Sequence, residues 1–147
     1  MIIARSFLNK TVAVMGLARS GKAAIESLVL GGARVLAWDD DPKRREEISG
    51  VGVEIRDLHD INFKDIDALV LSPGIPHSFP KPHPVAAKAK TSGVPIIGDI
   101  ELFAQNSRNT PVIGVTGTNG KSTTASLIGH LFCLLYTSDA ADEVSWG

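Results

Sequence analysis

The chain has 147 residues, with 15 Lys and Arg against 16 Asp and Glu, a net charge of -1, 44% hydrophobic residues and a single Cys. That composition excludes a disordered or fibrous chain, a cysteine-built zinc finger and an internal disulfide framework. The balanced charge gives no basic surface for nucleic acid or anionic lipid. Met1–Asn9 lacks the pattern of a signal peptide, and the longest uncharged apolar segment, Leu127–Tyr136, is too short to span a bilayer. A cytoplasmic protein with no nucleic-acid or membrane partner is expected.

Thr11-Val-Ala-Val-Met15 is a Val-rich run bounded by Lys10 and Gly16, and reads as a buried strand. Gly16-Leu-Ala-Arg-Ser-Gly21 is the turn after it. Lys22–Leu30 has helical spacing and stops at Gly31-Gly32. Arg34–Trp38 is a second strand, ending at Asp39-Asp40-Asp41. Pro42 opens a short charged helix. Val53–Ile55 is a brief strand. Ala68–Leu71 is a buried strand that ends at Ser72-Pro73-Gly74. His83–Thr91 reads as a helix, Pro95–Ile97 as a fifth strand, and Asp99 as the cap of a helix over Ile100–Gln105.

Strands that are apolar throughout and alternate with helices predict an α/β fold with a parallel sheet covered on both faces. Ligands of such sheets sit beyond the carboxyl ends of the strands. The loops Gly16–Gly21, Asp39–Asp41 and Ser72–Gly74 are therefore expected around one crevice.

A second unit starts after a polar link near Arg108–Thr110. Val112–Val115 reads as its first strand, Thr116–Gly120 as a glycine-bearing loop and Lys121–Phe132 as the start of a helix. Strand, loop and helix with Lys-Ser at its start make a phosphate cradle of the P-loop kind. Backbone N–H groups point at the anion, Lys121 adds charge, and Ser122 offers a hydroxyl to Mg2+. Val115 stands where the strict pattern has Gly. In the first loop Ala18 replaces the second Gly of G-x-G-x-x-G, and its Cβ hinders close approach of a dinucleotide pyrophosphate. Ser20 and the helix start still suit a phosphate, and Asp39 stands where an acid often meets a ribose or a base edge. His59, His77, His83 and His130 show no metal-ligand spacing and read as surface or packing residues. Two phosphate sites in successive units suggest two nucleotides, ATP and a nucleotide-bearing substrate.

Gly16-Leu-Ala-Arg-Ser-Gly21, Leu71-Ser-Pro-Gly-Ile75, Gly98-Asp-Ile-Glu-Leu-Phe103 and Gly114-Val-Thr-Gly-Thr-Asn-Gly-Lys-Ser-Thr123 together resemble the Mur ligase family over Met1–Phe132. The last motif is shared with folylpolyglutamate synthases, and the GDIELF stretch after an SPG loop favours the D-glutamate-adding branch. The resemblance implies a Rossmann-like domain over residues 1–108 that holds the UDP part of UDP-N-acetylmuramoyl-L-alanine, and the start of a central ATP-binding domain over 109–132. Arg19 and Ser20 would line the diphosphate. Asp39 and Asp40 would meet the uridine, with Ser72, Pro73 and Gly74 beside the same nucleotide. Gly117, Thr118, Asn119, Gly120, Lys121, Ser122 and Thr123 would hold ATP, with Ser122 near Mg2+. Asp41 stands where some relatives carry a basic or neutral residue. The implied activity is ATP-dependent amide formation with D-glutamate through an acyl phosphate, in peptidoglycan precursor synthesis, by a protein that is monomeric at full length. An oxidoreductase using NAD and a non-catalytic nucleotide-sugar module are the alternatives.

Cys133–Glu143, CLLYTSDAADE, resembles a translated sequencing-library adapter. Residues 133–147 are accordingly expected to be a non-native tail, with a polar turn at Thr137-Ser138-Asp139. Without the three acids of that tail, Met1–Phe132 carries a charge of +2. The family's remaining metal ligands and its amino-acid-binding domain are not in this sequence, so the 147-residue chain is expected to be inactive by itself, with no catalytic residue assigned.

Overall fold

The computed structural model describes residues 2–48, 52–107 and 111–142, the side chains of 135–142 excepted. The chain divides into two compact units, Met1–Asn109 and Thr110–Gly147.

The first unit is a five-stranded parallel sheet. Its strands are β1 Thr11–Met15, β2 Arg34–Trp38, β3 Glu54–Ile55, β4 Ala68–Leu71 and β5 Ile96–Ile97. Their order is β3-β2-β1-β4-β5. The central strands align Val14 with Ala37 on one side and with Val70 on the other. Both faces of the sheet are covered, so β1 and β4 are apolar at consecutive positions.

Alternation sorts those side chains to two cores. Val12, Val14, Val35, Val70 and Ile97 face α1 (Arg19–Leu30) and α4 (Asp99–Asn106), which contribute Ala24, Ile25, Leu28 and Leu102. Ala13, Met15, Leu36, Leu69 and Leu71 face α3 (Pro84–Thr91), with Val85, Ala86 and Ala89. Phe63, in a short 3-10 turn at Phe63–Asp65 that the apolar pattern does not reveal, closes the second core. Each fully buried Ile, Leu or Phe of these layers contributes about 1.5–3 kcal/mol.

Several boundaries differ from expectation for local reasons. The first helix starts at Arg19, and Ala18, extended at φ -71° and ψ -169°, is its cap residue. The last helix of the unit is capped by Gly98, not by Asp99. Asp99 occupies the first helical position, where its charge suits the positive end of the helix. His83 is outside α3 and caps it through Nδ1, which accepts from the Val85 N–H at 3.3 Å. A short α2 (Pro42–Glu46) begins as expected at its proline, and Asp41 caps it by accepting from the Lys43 N–H at 3.0 Å.

In the second unit the helix α5 runs over Lys121–Asp142. Two expectations fail here. Val112–Val115 is not a strand, because a strand needs a neighbour and none of the unit's described residues supplies one. Thr137-Ser138-Asp139 is not a turn. The helix passes through it into Ala140 and Ala141, and alanine is the strongest helix former. Val112, Ile113, Leu127, Leu131, Phe132 and Leu134 are all more than half exposed. Residues 143–147 of the expected tail, and the link at 108–110, lie outside the described residues.

Candidate functional site

The strand order reverses between β1 and β4, which makes their carboxyl ends the switch point of the sheet. The loop after β1 and the loop after β4 meet there. Ser72 Oγ donates to the Gly16 carbonyl at 2.9 Å, and the Ser72 N–H donates to the Met15 carbonyl at 3.0 Å. Gly16 takes φ +93°, and a Cβ on it would lie 2.8 Å from Ser72 Cβ. A Cβ on Gly21 would lie 1.8 Å from the Gly16 carbonyl oxygen. The helix thus starts in direct contact with the strand end, which only glycine permits.

That contact seats the start of α1 beside Ser72 at the switch point. The N–H groups of Arg19 and Ser20 meet no acceptor among the described residues. The first turn holds no acid, and Arg19 forms no ion pair among the described residues. A cation at the positive end of a helix dipole is electrostatically uphill until an anion arrives. Lys22, the next base along, is already paired with Glu47. The start of α4 is the opposite case. Asp99 and Glu101 occupy its first turn and satisfy its dipole. Of the two helix starts, α1 is therefore the better place for a phosphate.

Two clefts flank this point. One of about 370 Å³ is lined by Arg19, Ser20, Ser27, Asp99 and Phe103, among others. Another of about 360 Å³ is lined by Ser72, Pro73, His77, Asp99 and Glu101, among others. Asp99 borders both. The single crevice expected from the sequence is therefore two: Arg19 and Ser20 line one cleft, Ser72 and Pro73 the other, and Asp39, Asp40 and Gly74 line neither. Asp99, Glu101 and His77 line these clefts without a lining role expected from the sequence. The signal for the first two was the GDIELF stretch beginning right after β5.

Asp39 is only 6% exposed and faces inward. Its Oδ2 accepts from the Leu17 N–H at 2.7 Å and from Arg44 Nη1 at 3.3 Å, while Oδ1 accepts from the Asp41 N–H at 2.9 Å. Burial pushes its carboxyl up, but the Leu17 and Asp41 N–H groups and the Arg44 guanidinium together hold it below the ordinary value. Asp39 thereby ties the loop after β2 to the loop after β1. Arg45 donates to the Asp39 carbonyl at 2.6 Å and lies over the Trp38 ring, 4.1 Å from its centroid.

Asp40 belongs to a separate polar cluster, in which Trp38 Nε1 donates to its Oδ1 at 3.3 Å. His83 Nε2 lies 3.0 Å from its Oδ2, and His59 Nε2 lies 3.9 Å from its Oδ1. His59 and His83 are not the scattered residues that their spacing predicts. Chain segments far apart in sequence, one following β3 and one preceding α3, bring their rings to 5.6 Å.

In the second unit the Thr116–Gly120 loop turns through Gly117 at φ +146° and Gly120 at φ +75°. Lys121 Nζ folds back and donates to the Gly117 carbonyl. The Thr124 N–H to Gly120 carbonyl bond, at 2.9 Å, closes the first helical turn over Lys121, Ser122 and Thr123. The ammonium of Lys121 and the opening N–H groups of α5 thus belong to one short loop–helix junction, as a phosphate cradle requires.

No protein-family model matches the chain. It is 48% identical over 137 residues to a protein named UDP-N-acetylmuramoylalanine--D-glutamate ligase from Caulobacter sp. (strain K31). Proteins of that name from Phenylobacterium zucineum and Sphingopyxis alaskensis are each 46% identical. Each match covers 89% of this chain. This chain is homologous to the D-glutamate-adding Mur ligases. It spans about 29% of the length of these ligase relatives. Their names also weigh against the oxidoreductase alternative. The shikimate dehydrogenase of Aquifex aeolicus matches 69% of this chain and 50% of its own at a TM-score of 0.51. At 16% identity it shares the fold alone. No described helix is long and apolar enough to cross a membrane.

Proposed function

We propose that this chain is the UDP-substrate-binding end of an ATP-dependent ligase that joins D-glutamate to UDP-N-acetylmuramoyl-L-alanine in cytoplasmic peptidoglycan precursor synthesis. What carries the reading is 48% identity to a protein of that name. The first unit takes the UDP part of the substrate. Arg19, the Ser20 hydroxyl and the N–H groups opening α1 hold the diphosphate, and Ser72-Pro73-Gly74 forms the neighbouring wall. Asp40 meets the uridine, and Asp39 sets the position of that loop.

The second unit begins the ATP-binding domain. Its junction fits MgATP because Gly117 and Gly120 supply a sharply turned backbone and Lys121 is already folded over the loop. Gly117–Gly120 would wrap the phosphates, Lys121 would balance their charge, and the hydroxyls of Ser122 and Thr123 would reach toward the phosphates, with Ser122 nearest Mg2+. Mg2+ held beside Ser122 would offset charge on the phosphoryl group. The substrate carboxylate would attack the γ-phosphorus of ATP, breaking its bond to the β-phosphate and releasing ADP, and the amine of D-glutamate would then displace phosphate from the acyl phosphate to give the amide.

Titration calorimetry on the 147-residue chain tests the reading. UDP-N-acetylmuramoyl-L-alanine is expected to bind and NAD is not. Binding of NAD with no binding of the UDP compound overturns it. No ADP release is expected from these 147 residues with ATP, UDP-N-acetylmuramoyl-L-alanine and D-glutamate present, and measurable release would contradict a binding role without turnover.

A further inference from the structure

Asp40, His59 and His83 bring one carboxylate oxygen and two imidazole nitrogens within 4.8 Å of one another. Three separate segments deliver them. Asp40 follows β2, one residue beyond the clasped Asp39. His59 follows β3, and Lys88 Nζ fixes its main chain by donating to its carbonyl at 2.6 Å. His83 is the cap residue of α3 and is only 15% exposed at its side chain.

His59 is already oriented. Asp57 Oδ1 accepts from the His59 N–H at 2.9 Å and from Nδ1 of its ring at 2.8 Å. With the proton on Nδ1, the lone pair of Nε2 faces Asp40. A carboxylate on the far nitrogen is the usual partner of a metal-binding histidine, since it sets the tautomer and raises ligand basicity.

We propose that Asp40, His59 and His83 form a binding site for a divalent transition-metal ion of the zinc class, with Asp57 as the residue that positions His59. Two imidazoles and one carboxylate suit zinc, which would take its fourth ligand from solvent. Magnesium and calcium prefer all-oxygen sites. The cost falls on His83. Its Nδ1 accepts from Val85, so without metal its Nε2–H donates to Asp40. Coordination through Nε2 moves that proton to Nδ1 by way of solvent and gives up the long 3.3 Å cap. Asp40 is also the residue given to the uridine above; the zinc titration is made without nucleotide, so its outcome is separate from that of the ligase reading.

The test is zinc titration calorimetry on the full chain carrying Cys133→Ser, which removes a competing thiolate. One equivalent of zinc is expected to bind. His59→Gln and His83→Gln are each expected to weaken binding by more than tenfold, and Asp57→Asn by about tenfold. His77→Gln and His130→Gln should leave it unchanged. Nitrogen-15 imidazole spectra of the chain with all four histidines in place keep the test independent of folding of the variants. Zinc should shift the His59 and His83 ring nitrogens and not those of His77 or His130. No saturable zinc uptake, uptake unaffected by both His59→Gln and His83→Gln, or shifts confined to His77 and His130 would each overturn the proposal.

Discussion

The N–H of Leu17 donates to the buried carboxylate of Asp39 at 2.7 Å, joining the loop after β1 to the loop after β2 across 22 residues of sequence. The bond is charge-assisted and sits where the nucleotide site is proposed. Because the folded carboxyl lies below its ordinary value of 3.8, its contribution to stability is complete above that value. The contribution is lost as pH falls through the folded value. Asp39→Asn keeps the shape and removes the charge. It should cost about 2 kcal/mol at neutral pH and flatten the acid limb of the stability profile. Thermal melts between neutral pH and the acid limb check this; a variant with an unchanged acid limb would contradict it.

The contact between Gly21 and Gly16 predicts a larger effect. A methyl group at position 21 would overlap the Gly16 carbonyl at 1.8 Å, and the obstacle is backbone that cannot rotate away. Gly21→Ala should cost about 3 kcal/mol or more, as overpacking does at its worst. It should also weaken the UDP substrate, because α1 can no longer start beside Ser72. Urea unfolding gives the first number and calorimetry the second. A small change in both would mean that the helix start moves freely.

Much of this could be read in the sequence because buried parallel strands are short apolar runs with clear punctuation. Ala68–Leu71 is found at its predicted bounds and Thr11–Met15 likewise. The contact between the loop after β1 and the loop after β4 could be read because loops at the carboxyl ends of adjacent parallel strands must be neighbours. Contacts set by tertiary distance could not be read. The meeting of Asp40, His59 and His83 depends on how the segment after β3 lies against the start of α3, and no spacing rule encodes it. Val112–Val115 has strand composition but no pairing partner among the described residues, so composition misled.

Lys121 and Arg19 belong to different units, so their effects should separate. Lys121→Ala removes the ammonium that lies over the Gly117 carbonyl. It should abolish binding of a non-hydrolysable ATP analogue and leave affinity for the UDP compound unchanged. Arg19→Ala should do the reverse. Both side chains are exposed or on loop edges, so stability should change by no more than about 0.5 kcal/mol. A four-way titration reads all of this. Loss of both ligands in either variant would show that the two units do not bind independently.

Leu127, Leu131 and Leu134 recur at helical spacing on α5, and each is more than half exposed. Val112 and Ile113 add further exposed apolar surface to the same unit. Contiguous exposure of this kind is a liability for association. The chain should therefore self-associate as its concentration rises, in a way that salt does not suppress, since the contact is apolar. Leu127→Glu combined with Leu131→Glu should raise the concentration at which association begins. The first unit should melt unchanged, because its two cores contain none of these residues. Sedimentation velocity at several concentrations measures the first effect and a thermal melt the second. A parent chain that stays monomeric throughout would show that this stripe does not drive association.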